Sequence, residues 1–216
     1  MSGMMLNIVG GSFAPSVPTV IGQAFGGGFY AGQIGVSSVA THYLIVGPVA
    51  SAESSSKQYK NATTATAGAD SVIDGPQNTA DIVADGNSTV YPAGHFCNDL
   101  VIGGFSDWYM PAKNELEVCY YNLKPTTTSN NTSSGINTNA VPSRGSNYTA
   151  GTPAQTSATD FQSTGAEDFA TDYYWSSTES SALSTRAYIQ YFLNGGQGTD
   201  AKNKSYRVRA VRRIAV

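Results

Sequence analysis

Residues 173–213 read YYWSSTESSALSTRAYIQYFLNGGQGTDAKNKSYRVRAVRR, and their pattern decides the fold. Two strand-like runs lie here, separated by a glycine turn at Asn194, Gly195 and Gly196. Side chains alternate across a strand, so Tyr188, Gln190 and Phe192 share one face of the first run, and Ile189, Tyr191 and Leu193 share the other. A sheet with one side in the core has a mostly polar opposite side. Here both faces carry bulky groups. Ile189, Tyr191 and Leu193 are therefore either covered by another part of the chain or form an exposed contact patch. The second run, 205–214, alternates at its start: Tyr206, Val208 and Ala210 point one way, Arg207 and Arg209 the other. Val211 breaks the alternation and predicts a bulge or strand end near Ala210.

The rest of the chain fits short strands and loops. Its 216 residues suffice for one large domain, or one domain with a small appendage, and a substantial core. Charged residues make up only 12%, against roughly 25% in ordinary soluble proteins. Polarity comes instead from Ser, Thr, Asn and Gln, together with 23 glycines, a composition that favours turns over long helices. The 13 tyrosines suit β-sheet. They equally suit a contact surface, because each offers area and a hydroxyl at low entropic cost.

Net charge is −3, with no long run of either sign, which argues against electrostatic binding to nucleic acid or anionic lipid. Six of the 12 basic residues fall in 202–213. They alternate along a strand pattern beside Asp200, which reads as a solvated or ion-paired face. No stretch approaches the roughly eighteen continuous apolar residues of a membrane span. The start, MSGMMLNIVGG, lacks the basic and apolar regions of a secretory leader.

Cys97 and Cys119 have neither a metal-ligand spacing nor partners for a disulfide framework. Buried free thiols are expected, with a single bridge between them left open. His95 lies beside a helical face without a partner, and His42 lies in a strand pattern, so structural roles are expected for both. Glu115 and Glu117 are two apart on one helix and face different ways, so they make no acid–base pair. The stretch from Ala24 to Tyr30 sets aromatics around three glycines but is no phosphate loop, since no GK[ST] follows.

Along the chain, residues 41–49 (THYLIVGPV) predict a strand central in a sheet, ended by Gly47 and Pro48. Residues 52–69 read as loop. Helices are expected in the second half of 71–84, over 91–100, and from Pro111 to Leu123, where Lys124 and Pro125 stop the pattern. Residues 126–159 form a long polar loop, of the kind that is functional or mobile. One helical turn is expected over 164–169.

Three strings resemble one family when taken in order. They are Gly104-Phe-Ser-Asp-Trp-Tyr-Met-Pro-Ala-Lys-Asn-Glu-Leu116, Tyr174-Trp-Ser-Ser-Thr-Glu179 and Tyr206-Arg-Val-Arg-Ala-Val-Arg-Arg213. They are similar to C-type-lectin-like domains related to the formylglycine-generating-enzyme fold, which occur in phage tail fibres and in the variable proteins of diversity-generating retroelements. The likeness covers about residues 40–213. It implies an α+β fold with two main helices packed on small antiparallel sheets, adjacent terminal strands and long loops on the ligand face. The implied domains are an N-terminal extension, 1–32, for assembly or attachment to other tail proteins, and a lectin-like domain, 33–216.

The resemblance also implies a recognition surface between Glu179 and Tyr206. The family's fixed positions fall on Trp175, Ser176, Ser177, Thr178, Glu179, Gln190, Phe192, Gly195, Lys202, Tyr206, Val208 and Arg209. Its variable positions fall on Ile189, Tyr191, Leu193, Gly196, Asp200, Ala201, Asn203, Lys204 and Arg207, with Arg186 nearby. The expected ligand-binding set is Arg186, Ile189, Tyr191, Leu193, Asp200, Asn203, Lys204 and Arg207. The calcium motifs of sugar-binding lectins and the oxidase cysteine pair are absent, so no metal, no cofactor and no catalysis are expected. The implied protein is a homotrimeric virion component. It would be made in the host cytoplasm without a signal peptide and would bind a host cell-surface receptor, protein or glycan, without inserting in the membrane. A purely structural fibre or baseplate module is the alternative. An oxidase or a surface-sugar hydrolase would draw on Asp107, Glu115, Asp172 or Glu179.

Overall fold

The computed structural model describes residues 17–216. Its first sheet holds β1 (Ala24–Phe25), β2 (Gly28–Val36), β3 (Val39–Val46) and β9 (Val211–Ala215), adjacent in that order and antiparallel. The apolar run expected to be central is β3, where Leu44, Ile45 and Val46 are fully buried. The second sheet runs in the order β4 (Glu53–Gln58), β8 (Ser205–Arg209), β5 (Tyr173–Glu179), β6 (Arg186–Tyr191), β7 (Gln197–Ala201). All its pairings are antiparallel except β5 with β8.

A four-residue helix, α1 (Val49–Ala52), links the sheets, and three longer ones pack on them: α2 (Gly75–Asp85), α3 (Pro92–Asn98) and α4 (Lys113–Leu123). The architecture is therefore mixed α+β with few helices and mostly antiparallel sheets. Helix α4 buries Leu116, Cys119, Tyr120 and Leu123 in one cluster with Ala31, Leu44 and Val46 of the first sheet, Tyr174 of the second sheet and Phe192 just after β6. At Gly32 (φ +131) any Cβ would collide with the Asn122 amide, whose Nδ2 donates to Ala31 O (2.7 Å). Glycine there lets α4 sit close on β2. A second cluster joins Ile82 and Cys97 of α2 and α3 to Tyr59, Trp108, Trp175, Ile189 and Val208.

The break expected near Ala210 is where the chain changes sheet. Ala210 N donates to Ala52 O (2.8 Å) and Gly47 N donates to Ala210 O (3.0 Å), after which β9 continues beside β3. Arg209 is buried at this corner. Its Nε donates to Gly47 O (2.8 Å), its NH2 to Glu167 Oε2 (2.8 Å), and its guanidinium lies 4.6 Å from the Phe169 ring centre.

Three expectations change. The Ser-rich segment read as loop contains β4, which is a strand because β8 supplies its partner: Glu53 lies opposite Arg209 and Lys57 opposite Tyr206. The helical turn expected over 164–169 is instead a 3₁₀ turn at Thr159–Phe161. The boundary drawn between residues 32 and 33 falls inside β2, since the aromatic–glycine stretch from Ala24 already pairs in the first sheet. Residues 1–16 of the expected attachment extension lie outside the described residues.

The long loop after α4 is held by buried polar anchors. Glu117 accepts from Asn137 Nδ2 (2.5 Å), from the Tyr148 hydroxyl (2.7 Å) and from Arg144. Tyr120 donates to Asn130 Oδ1 (2.7 Å), and Lys124 Nζ donates to Thr128 O (2.6 Å). Burial also pushes the Glu115 carboxyl up to about 7, against hydrogen bonds from the Tyr109 hydroxyl (2.7 Å) and Ala112 N–H (2.8 Å), and it raises Glu117 as well. The native state therefore holds protons that the unfolded chain releases. The Glu115 contribution is full below an unfolded value near 4.5 and is lost as pH rises through 7. Urea unfolding should show stability falling between about pH 4.5 and pH 7, by on the order of 3 kcal/mol from this group. Glu115→Gln should flatten that fall, and an unchanged slope would refute the assignment.

Candidate functional site

The register of the second sheet sorts its side chains. Tyr173 lies opposite Tyr191, Trp175 opposite Ile189, Ile189 opposite Gly198 and Ala187 opposite Asp200. Paired residues project from the same face, so these groups share one. Tyr206 joins them, with its ring centre 5.4 Å from Tyr173 and 5.1 Å from Trp175. The Trp175 end of this face is covered: its ring is fully buried, packed on Tyr59 at 5.9 Å, with Nε1 donating to Lys57 O (3.0 Å).

The other end is open. Tyr191 stacks on Tyr173 with ring centres 4.4 Å apart and planes 18° from parallel, and Tyr173 is 37% exposed. Beside Tyr191 lies a surface groove of about 360 Å³, lined by both rings, Ile189, the Gly196–Gly198 backbone and the polar groups of Asn131, Asn194 and Thr199. A Cβ at Gly198 would meet nothing within 4 Å, so the glycine keeps the groove wide. The long loop supplies the rim. Asn131 N donates to Asn194 O (2.8 Å) and Gln197 N donates to Ser134 Oγ (2.9 Å). Asp200 accepts from the Tyr206 hydroxyl (2.6 Å), a bond that holds its carboxyl below the usual range.

The eight residues expected to bind ligand divide. Tyr191 and Asp200 lie on the open face. Ile189 lies on the same face but is only 9% exposed, because Trp175 stands opposite it, so it forms the groove floor and not a projecting contact. Asn203 and Lys204 are exposed in the β7–β8 turn, where Gln58 Nε2 donates to Asn203 O (2.7 Å). Leu193 is half-buried beyond the end of β6, and its carbonyl accepts from Thr126 Oγ1 (3.2 Å).

Arg186 and Arg207 belong to the opposite face. Arg186 NH1 donates to Thr199 O (3.2 Å), and Arg207, paired with Tyr174, donates from NH1 to Glu53 Oε1 (2.8 Å). Tyr174 donates to the same oxygen at 3.0 Å. Arg207→Ala should therefore weaken the fold by about 1–3 kcal/mol in urea unfolding, through the partly stranded Glu53, while leaving ligand affinity within about twofold. A large affinity loss at unchanged stability would put Arg207 back in the contact surface.

Tyr173, Asn131 and Gly198 were not in the expected set. The alternation of Tyr173, Trp175 and Ser177 along β5 was the available signal for the first. Nothing local in the sequence places Asn131 at the rim.

The remaining candidate groups are occupied internally. Asp107 accepts from Arg212 Nε (2.7 Å) and NH2 (2.8 Å). Glu179 accepts from Thr66 N (2.6 Å) and from the fully buried Lys202, whose Nζ also donates to Thr64 O (3.0 Å) and Thr66 Oγ1 (2.8 Å). Asp172 lies 3.5 Å from Arg207. His95 Nε2 meets Gly86 O at 2.7 Å. Cys97 and Cys119 are free and buried, with their thiols pushed far up by burial. Among the described residues no group of three or more His, Cys, Asp or Glu is placed to hold a metal, and no helix is long and apolar enough to cross a membrane.

Residues 60–212 match the sequence model of the Lcl C-terminal domain, which is more than half of the chain. No curated protein matches it.

Proposed function

This chain belongs to the Lcl C-terminal domain family, and from that premise we propose that it is a receptor-binding module of a phage tail fibre or tail tip. Its recognition surface is the open tyrosine face of the second sheet, completed by the long loop and the β7–β8 turn. The observation that carries the reading is the Tyr173–Tyr191 stack standing over an open groove, on a sheet whose opposite face is locked by buried ion pairs. Exposed tyrosines on a stiff support give contact area at low entropic cost. Weak single-site contacts would be multiplied by several copies per virion.

The frame fits a C-type-lectin-like domain. Support comes from the C-terminal strand lying in the sheet formed by the first strands, and from the long loop meeting the proposed ligand face. We further propose that the module is a homotrimer in the virion, is attached through its N-terminal region, and acts by binding without catalysis or cofactor.

A structural fibre or baseplate module is the second reading. The first sheet favours it by one observation: an apolar groove between Phe25, Phe105 and Ile214, with Phe105 37% exposed. Adsorption of the labelled chain to a taxonomically broad panel of bacterial strains separates the two. The receptor-binding reading expects adsorption to a subset of strains, reduced by Tyr191→Ala. Adsorption to none, with Phe105→Asp disrupting subunit association, would favour the structural module.

A further inference from the structure

We propose that Gly198 is the specificity-determining residue of the recognition groove: its missing side chain decides which features of a receptor reach Ile189. The inference rests on the reading of this sheet face as the recognition surface, and it names what that face admits.

No backbone demand accounts for the glycine. Three residues earlier Gly195 meets one, with φ at +76 and a Cβ that would strike the Tyr120 ring. Gly198 has neither constraint. Its φ lies outside the left-handed region, it pairs in register within β7, and a Cβ would meet nothing within 4 Å. Glycine inside a strand forgoes side-chain packing and adds to the entropy lost on folding. The sheet thus carries a local weakness that a small side chain would relieve.

Its position says what the gap is for. Trp175, Ile189 and Gly198 are register partners across β5, β6 and β7, so they form one row on the open face. The row steps down from a fully buried indole, through Ile189 at 9% exposure, to no side chain at all. A side chain at 198 would continue the row, stand on the flank of Ile189 and occupy part of the groove of about 360 Å³ that both line. Without one, a protruding group of the receptor can pass the rim and reach the floor.

The lining defines that group. Among the described residues no Lys, Arg, Asp or Glu lines the groove, whose floor and walls are Ile189, Tyr173 and Tyr191. A charge seated there would lose water without gaining a partner. At the rim, Ser133 N donates to Asn131 Oδ1 (2.9 Å) and Gly196 N donates to Asn194 Oδ1 (3.0 Å), so each amide keeps its N–H groups for an acceptor. The groove therefore takes an uncharged group with an apolar face and a hydrogen-bond acceptor. Apolar pockets discriminate by size, one methylene being worth about 10–200-fold, so a side chain added at 198 is felt by whatever enters.

The test measures adsorption and melting of the labelled full chain carrying Gly198→Ala or Gly198→Leu, on adsorbing strains from the panel, with Tyr191→Ala alongside. The two readouts are expected to move in opposite directions. Gly198→Ala should raise Tm by about 1–4 °C. Gly198→Leu should melt no lower than the native chain and lower adsorption at least about tenfold. Both variants melting below the native chain, with adsorption lost in step, would make the glycine structural and overturn the proposal. Adsorption unchanged in Gly198→Leu but lost in Tyr191→Ala would also overturn it, while leaving the recognition face standing. Adsorption indifferent to Tyr191→Ala would remove that face, and this inference with it.

Discussion

Arg209→Met is expected to lower the unfolding free energy by about 3–5 kcal/mol. The guanidinium is wholly buried at the corner where the chain passes from the second sheet to the first. Methionine keeps much of the apolar volume against Phe169, so the loss would come from the charges left behind. Glu167 would lose its 2.8 Å partner, and Glu53, whose Oε2 is already buried without a hydrogen bond, would lose the cation 3.8 Å away. Gly47 O would lose its donor at the end of β3. Removing one member of a buried ionic group strands the others in low dielectric, which costs far more than the intact group contributes. Denaturant unfolding followed by tryptophan fluorescence reads the change directly. A loss below about 1 kcal/mol would mean that the corner is held by packing alone.

Tyr191→Ala is expected to weaken receptor binding by about 2–4 kcal/mol, or roughly 30- to 1000-fold, the range of a tyrosine hot spot. The ring is half-exposed and forms the wall of the groove, while Ile189 beneath it is already covered from the other side by Trp175. Truncation therefore removes contact area without opening the core. Its cost to the fold should be the lost stack on Tyr173, about 0.5–1.5 kcal/mol, which moves Tm by only a few degrees. Binding and melting measured on the same preparation separate the effects. Loss of binding in proportion to loss of fold would deny Tyr191 a direct role.

Much of the frame was legible in the sequence because its signals are local. The run ending in Leu44, Ile45 and Val46 is apolar throughout and stopped by Gly47 and Pro48, so its central position followed. Val211 broke an alternation, and the chain changes sheet one residue earlier. Pro92, Pro111 and Pro125 bounded helices close to where they lie. Strand β4 escaped because ESSSKQ has no apolar alternation and becomes a strand only through its pairing with β8.

The site was half legible for a related reason. Alternation correctly put Tyr191 and Ile189 on one face and separated Tyr206 from Arg207. It could not say which face of β8 matches which face of β6. That depends on β5 lying between them, and on the parallel pairing of Tyr174 with Arg207, which joins residues 33 apart in sequence. Once that pairing is known, Arg207 goes to the locked face and Tyr206 to the open one. The choice between cover and exposure at Ile189 stays open in the sequence for the same cause, since its cover comes from Trp175 on the neighbouring strand. Glycines at 196 and 198 hid β7, and they are also what keeps the groove open.

Residue-level footprinting of tyrosines on the chain, free and then bound to adsorbing cells, tests the central claim most directly. The prediction is protection on binding at Tyr173, Tyr191 and Tyr206, with Tyr121 on the far side of the long loop unchanged. Protection confined to the Phe25 and Phe105 face, with those three tyrosines as reactive as in the free chain, would contradict it.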